Sequence, residues 1–193
     1  MLMKKIIYQL AQSDSDLQEI LNLQLKNHFS NLSDSAKTEQ GFLTVRHELA
    51  QLQAMRENSP QFLAKCEGRV VGYVLSMHYG MRDTVPALAH LFEELDQFSY
   101  KELPLSKHPF IICGQTCIDS DYRGLGIMQQ LYHNMREELS KAYTGCVTEI
   151  SGLNQRSLNA HGKIGFETIT KYNDRGQEWN IVLWDWKKQY INE

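Results

Sequence analysis

Apolar positions along this chain switch between two spacings, and the switches mark out its elements. Residues 4–10 read as a first strand. Ser13-Asp14-Ser15-Asp16 has the form of a helix-starting cap, and Leu17, Ile20, Leu21 and Leu25 follow it at helical spacing. A second amphipathic helix is predicted from about Val45, with Thr44 as its N-cap and Leu49, Leu52 and Met55 on one face. Residues 61–66 and 69–79 form a predicted hairpin around Glu67-Gly68. A long insert, 80–109, shows helical character over 87–98. The strand period returns over 110–118, and Ile127, Leu131, Met135 and Leu139 then fall four apart, as on a helix facing a core. Residues 146–150 read as a strand and 155–163 as a short helix. Two last strands, 166–172 and 178–186, flank the turn Asp174-Arg175-Gly176. This order predicts an α/β fold: a mixed, mostly antiparallel sheet of about seven strands flanked by helices, with a helical insert.

Composition narrows the class. With 193 residues, 42% hydrophobic and 22% charged, the chain has the make-up of a soluble globular protein, and one core over 1–193 is expected. A net charge of -3 argues against nucleic acid as a partner, since that usually demands a basic face. Two lysines near the start are followed by no long apolar stretch, because Gln9, Gln12 and Asp14 interrupt it. The expectation is a cytoplasmic protein without membrane attachment. Cys66, Cys113, Cys117 and Cys146 include no Cys-x-x-Cys pair, so they read as free thiols packed as small apolar groups, and no metal is expected.

The chemistry concentrates at Ile118 to Gln129, which joins a strand to an amphipathic helix through Gly124 and Gly126. Glycine allows close backbone approach to a ligand, and a helix N-terminus offers unpaired amides and partial positive charge. Together they can cradle a pyrophosphate. A Walker A loop is excluded because no Gly-Lys-Ser/Thr follows, and the Rossmann fingerprint fails because Gln129 replaces its third glycine. A plain tight turn fits the same residues.

Here a resemblance enters. Arg123-Gly124-Leu125-Gly126-Ile127-Met128 is similar to the acetyl-CoA motif of the GNAT superfamily, Gln/Arg-x-x-Gly-x-Gly/Ala, with Met128 in place of the final small residue. A second block runs from Glu149 to Phe166. It resembles the branch that reads Asn-x-x-Ser-x-x-x-His-x-x-x-Gly-Phe, here Asn154, Ser157, His161 and Gly165-Phe166. Together the blocks cover about 111–166. The resemblance implies acetyl-CoA as co-substrate, its pyrophosphate on the amides from Gly124 through Leu125, Gly126, Ile127 and Met128 to Gln129. It implies the pantetheine arm along Thr116, Cys117 and Ile118, and an amide contact from Asn154. His161 stands where the family usually has a Tyr that protonates the departing thiolate. Glu149 stands where ribosomal-protein-acetylating relatives carry a general base.

Each assignment has a plainer counterpart. Asn154 also fits an N-cap, His161 a side chain packed on the sheet, and Glu149 a strand-edge carboxylate. An amine substrate arrives as an ammonium, so acyl transfer needs a base such as Glu149, and imidazole titrates near neutrality. No Ser-His-Asp set or reactive Cys is evident, which favours direct transfer to the amine. The expected acceptor is a primary amine, of a small molecule or of a protein N-terminus, and a homodimer stays open. In the insert, Glu93, Glu94 and Asp96 with Phe92, Phe98 and Tyr100 form either a packed helix with a solvated face or a wall that selects a cationic amine. The competing function is a catalytically silent acyl-CoA-binding module of the same fold.

Overall fold

The computed structural model describes residues 5–33 and 41–188. Residue 4, at the start of the expected first strand, lies outside them. The elements are β1 (Ile6–Leu10), α1 (Asp14–Asn27), α2 (Leu49–Asn58), β2 (Phe62–Cys66) and β3 (Arg69–Met77), then α3 (Ala89–Gln97) and the short strands β4 (Ser99–Tyr100) and β5 (Leu103–Pro104). After this insert come β6 (Phe110–Ile118), α4 (Ile127–Leu139), β7 (Gly145–Ser151), α5 (Gln155–Gly162), β8 (Glu167–Asp174) and β9 (Gln177–Asp185). Seven strands form one sheet in the order β1-β2-β3-β6-β7-β9-β8. Every pairing is antiparallel except β6 with β7, where α4 supplies the crossover that a parallel pair requires. The expected mixed α/β fold is the one observed.

Period-2 alternation sends side chains of each strand to opposite faces. Leu63, Tyr73 and Leu75 enter one core with Leu17 and Ile20 of α1, Leu52 and Met55 of α2, and Leu91, Phe92 and Leu95 of α3. Phe62, Ala64, Val71 and Val74 enter the other, against Ile127, Leu131, Tyr132 and Met135 of α4. Burying one such side chain contributes about 1.5–3 kcal/mol, so the α4 stripe anchors that helix without help from its sequence propensity. The apolar face of the insert helix is part of the first core, while its acidic residues Glu93 and Asp96 are exposed.

Two local expectations need correction. The second helix begins at Leu49, not near Val45: Glu48 is its N-cap, in a reciprocal capping box with Gln51, so Thr44 caps nothing there. Residues 42–47 are drawn instead into tertiary contacts described below. On α1, Leu25 is 47% exposed and the buried position is taken by Leu23. The Ser13 cap itself is observed, with Asp16 returning the hydrogen bond.

Candidate active site

The site begins where one strand pair comes apart. β6 and β7 are paired only from Phe110–Gly145 to Ile112–Val147, yet β6 runs on to Ile118 and β7 to Ser151. A bulge in β6 contributes to the opening, since the β3 register jumps between Gln115 and Cys113 and leaves Gly114 as the extra residue. Thr148 Oγ1 donates to the Cys113 carbonyl at 2.7 Å and holds the mouth of the split. Beyond it, the ends of β6 and β7 line two adjoining cavities.

The larger cavity has a volume of 360 Å³. It brings together Thr116, Cys117 and Ile118 from the end of β6, Arg123, Gly124, Gly126, Ile127, Met128 and Gln129 from the turn and the start of α4, and Asn154. Of the residues expected to hold a nucleotide-linked ligand, only Leu125 is outside the lining, and it is 65% exposed. Gly124 and Gly126 have φ of 77° and 75°, left-handed values that cost other L-residues about 1–2 kcal/mol. Nothing lies within 4 Å of where a Cβ on either would sit, so the space above both is open. The α4 ladder starts with Gln130 N–H donating to the Gly126 carbonyl, which leaves the amides of Ile127, Met128 and Gln129 outside it. These features fit a pyrophosphate.

Arg123 lines the cavity and also ties down the turn. Its Nε donates to the Ile118 carbonyl at 3.1 Å and Nη2 to Asn27 Oδ1 at 2.8 Å, while Lys26 pairs with Asp119 at 3.0 Å. The C-terminal end of α1 is thereby tied to the turn. Asn154 caps α5, accepting from Ser157 N–H at 3.2 Å, and its Nδ2 donates to the Phe42 carbonyl at 3.0 Å. Gly41 approaches so closely that a Cβ would stand 2.8 Å from Asn154 Oδ1. The cap and the wall of the cavity are one contact.

The smaller cavity, 80 Å³, continues from the first past Thr116, Asn154 and Ser157. It is lined by Glu149, His161 and Trp179, and by Leu88 and Leu91 of the insert. Glu149 is 7% exposed in its side chain. The Tyr172 hydroxyl donates to its Oε2, and His90 Nε2 lies 3.1 Å from its Oε1. Burial first, then the neighbouring carboxylate, pushes the Tyr172 pKa far up. The family resemblance pointed to Glu149 but not to His90 and Tyr172, which reach it from α3 and β8.

His161 is 3% exposed. Its Nδ1 is 2.8 Å from the Ser157 carbonyl oxygen and 3.3 Å from Ser157 Oγ, and its Nε2 is 2.9 Å from the Tyr132 hydroxyl. A carbonyl can only accept, so Nδ1 carries the proton and Nε2 accepts from Tyr132. Burial lowers the pKa of His161 to about 4, so the ring is neutral at pH 7.

A buried polar network holds the segment that covers both cavities. Gln24 Nε2 donates to Gln115 Oε1 at 2.6 Å and lies 2.9 Å from His47 Nδ1, while its Oε1 accepts from His47 N–H at 2.7 Å. Gln115 Nε2 donates to the Val45 carbonyl at 2.9 Å and its Oε1 accepts from the Tyr73 hydroxyl at 2.6 Å. This network holds residues 42–47 in an irregular segment in place of the expected helical start. The one signal for it in the sequence is Gln115, a polar residue placed inside an apolar strand run.

The thiols stay out of the chemistry. Burial pushes Cys117 to about 12 and Cys113 to about 11, and raises Cys146 well above its ordinary value, so none is a thiolate at neutral pH. Among the described residues no group of three or more His, Cys, Asp or Glu could hold a metal ion, and no helix is long and apolar enough to cross a membrane.

The structure is a split mixed sheet with an amide cradle beside the split, and comparison with known proteins gives it a family. A model of the acetyltransferase (GNAT) family matches residues 17–166, and the chain belongs to that family. The ribosomal-protein-S18-alanine N-acetyltransferase of Escherichia coli superposes with a TM-score of 0.64 at 11% identity, over 98% of this chain and 99% of that one. An N-acetyltransferase of Staphylococcus aureus Mu50 gives 0.62 at 18% identity, over 95% and 99%. NAA60 of Arabidopsis thaliana, solved in complex with acetyl-CoA, gives 0.63 at 12% identity, over 94% and 99%. At these identities the likeness is one of fold. No curated protein sequence matches the chain.

Proposed function

We propose that this protein moves an acetyl group from acetyl-CoA directly to a primary amine, either of a small molecule or of a protein N-terminus. The observation that supports this most is the junction of the two cavities: an amide cradle opens into a slot in which, among the described residues, Glu149 is the lining carboxylate. Acetyl-CoA, a co-substrate on this reading, supplies a thioester already activated toward an amine. The amides of Gly124 to Gln129 would hold its pyrophosphate, and Thr116, Cys117 and Ile118 would line its pantetheine arm.

Glu149 takes the proton of the incoming ammonium, which leaves the nitrogen lone pair free to attack. The hydroxyl of Tyr172 keeps the carboxylate oriented across the slot. Leu88, Leu91 and Trp179 exclude water around the acceptor and fit its carbon skeleton. His161, held neutral, is not the proton donor itself; it positions Ser157, which lines both cavities and whose hydroxyl can hydrogen-bond the departing thiolate. High thiol pKa values favour direct transfer over a covalent cysteine intermediate.

Calorimetry with CoA tests the cradle. Gly126→Glu places a carboxylate on a left-handed residue facing the phosphates, and should weaken binding on the order of tenfold or more, at about 1.4 kcal/mol per tenfold. Gly126→Ala adds only a Cβ and backbone strain and should lose less. Unchanged affinity in Gly126→Glu contradicts the assignment.

A further inference from the structure

Glu149 receives one proton per turnover and is almost wholly enclosed, so that proton needs a way out. The cavity it lines is closed by the acceptor during the reaction. Tyr172 offers no exit, since its hydroxyl donates to the carboxylate and has no proton-accepting site of matching strength. His90 is different. Its Nε2 is 3.1 Å from Glu149 Oε1, its side chain is 28% exposed against 7% for Glu149, and it is not among the residues lining the acceptor cavity. The ring is packed between Trp179 and Tyr172, with centroids 5.8 Å and 6.3 Å away, which fixes its approach to the carboxylate.

We infer that His90, carried on the first turn of the insert helix, relays the acceptor's proton from Glu149 to solvent; this rests on reading Glu149 as the base. The step balances as follows. Glu149 takes a proton from the ammonium, giving a neutral amine and a carboxylic acid. The acid passes that proton from Oε1 to the lone pair on His90 Nε2, which restores the carboxylate and forms an imidazolium. The imidazolium releases its Nδ1 proton to water, and exchange with solvent resets the tautomer.

The surroundings set the pH at which this works. The Glu149 carboxylate beside it raises the pKa of His90 most; burial lowers it, Asp174 raises it and Arg175 lowers it. Glu94, one turn further along α3 with Glu93 beside it, faces the same cluster, and Tyr172 and Trp179 complete it from β8 and β9. The net direction is upward from 6.5. Below that raised value His90 is already protonated and cannot accept, so kcat should fall toward acid with a midpoint above 6.5.

The test uses the whole protein with acetyl-CoA and an amine that supports turnover. His90→Gln keeps a hydrogen-bonding group near Glu149 but cannot carry a proton. It should lower kcat by about 10²-fold in dilute buffer, the lower end of the range for acid–base groups. It should also abolish the acid limb, and its rate should rise with added imidazole at fixed pH, to which the native protein is indifferent. Independently of activity, the NMR titration of the His90 ring should move to lower pKa in Glu149→Gln. A slow His90→Gln with an unchanged acid limb and no imidazole rescue would mean a structural role and overturn the relay. Native rates in His90→Gln beside a slow Glu149→Gln overturn the relay and leave the base in place. Native rates in both remove the base, and the relay with it.

Discussion

Glu149→Gln is expected to lower kcat by roughly 10²–10⁴-fold, the range for loss of a general base, while CoA affinity stays at the native value. The amide keeps the shape of the carboxylate, and its oxygen still accepts from the Tyr172 hydroxyl, so the slot should not collapse. It has no basic oxygen to take the ammonium proton. CoA affinity separates the two cavities: Glu149 lines only the smaller one, and a variant that lost CoA as well would show that the cavities are not divided as described. Steady-state kinetics at saturating amine, with calorimetry for CoA, measures both.

Acid should unfold this protein earlier than its carboxylates require. His47 and His161 are buried, and burial brings each to about 4, against 6.5 for an imidazole in the unfolded chain. Between these values the unfolded chain binds the extra protons, so stability falls as pH falls through that window and is intact above it. At about 1.4 kcal/mol per pKa unit, each ring accounts for about 3 kcal/mol, against total stabilities of roughly 5–15 kcal/mol for folded domains. His90 has the opposite sign, being raised, and partly offsets the loss. Asp16, lowered to about 2, contributes its own loss only at more acidic pH. Urea unfolding at pH 7, 5.5 and 4.5 should show a steep decline. Equal stability at pH 7 and 4.5 would contradict the neutral burial of both rings.

What the sequence makes legible here is what local chemistry determines. The turn into α4 could be read because two glycines and a four-residue apolar period are adjacent, and the structure finds both glycines left-handed. Turns at Glu67-Gly68 and Arg175-Gly176 were readable for the same reason, with positive φ at both residues of each pair. The β4–β5 hairpin was not, because Lys101-Glu102 adopts the same left-handed pair without any glycine to announce it. Thr44 is the better intrinsic cap, yet Glu48 starts α2, because the Gln24–His47–Gln115 network stretches residues 42–47 across the cavities. Asn154 caps the helix that carries His161, and both were found through the resemblance to the family's second block. His90 and Tyr172 meet Glu149 only once the insert and β8 have packed, and no periodicity in one sequence carries that meeting. The insert also proved less separable than a lid would be, since Leu88, Leu91, Phe92 and Leu95 belong to the main core.

The central claim is acyl transfer across the junction of the two cavities, and free-thiol release from acetyl-CoA measures it most directly. A panel of small primary amines and peptides with free N-termini should include at least one that drives continuous thiol release, with an equimolar N-acetylated product by mass. Saturable CoA binding with no amine-dependent thiol release anywhere in the panel would contradict the account and leave a silent acyl-CoA-binding module.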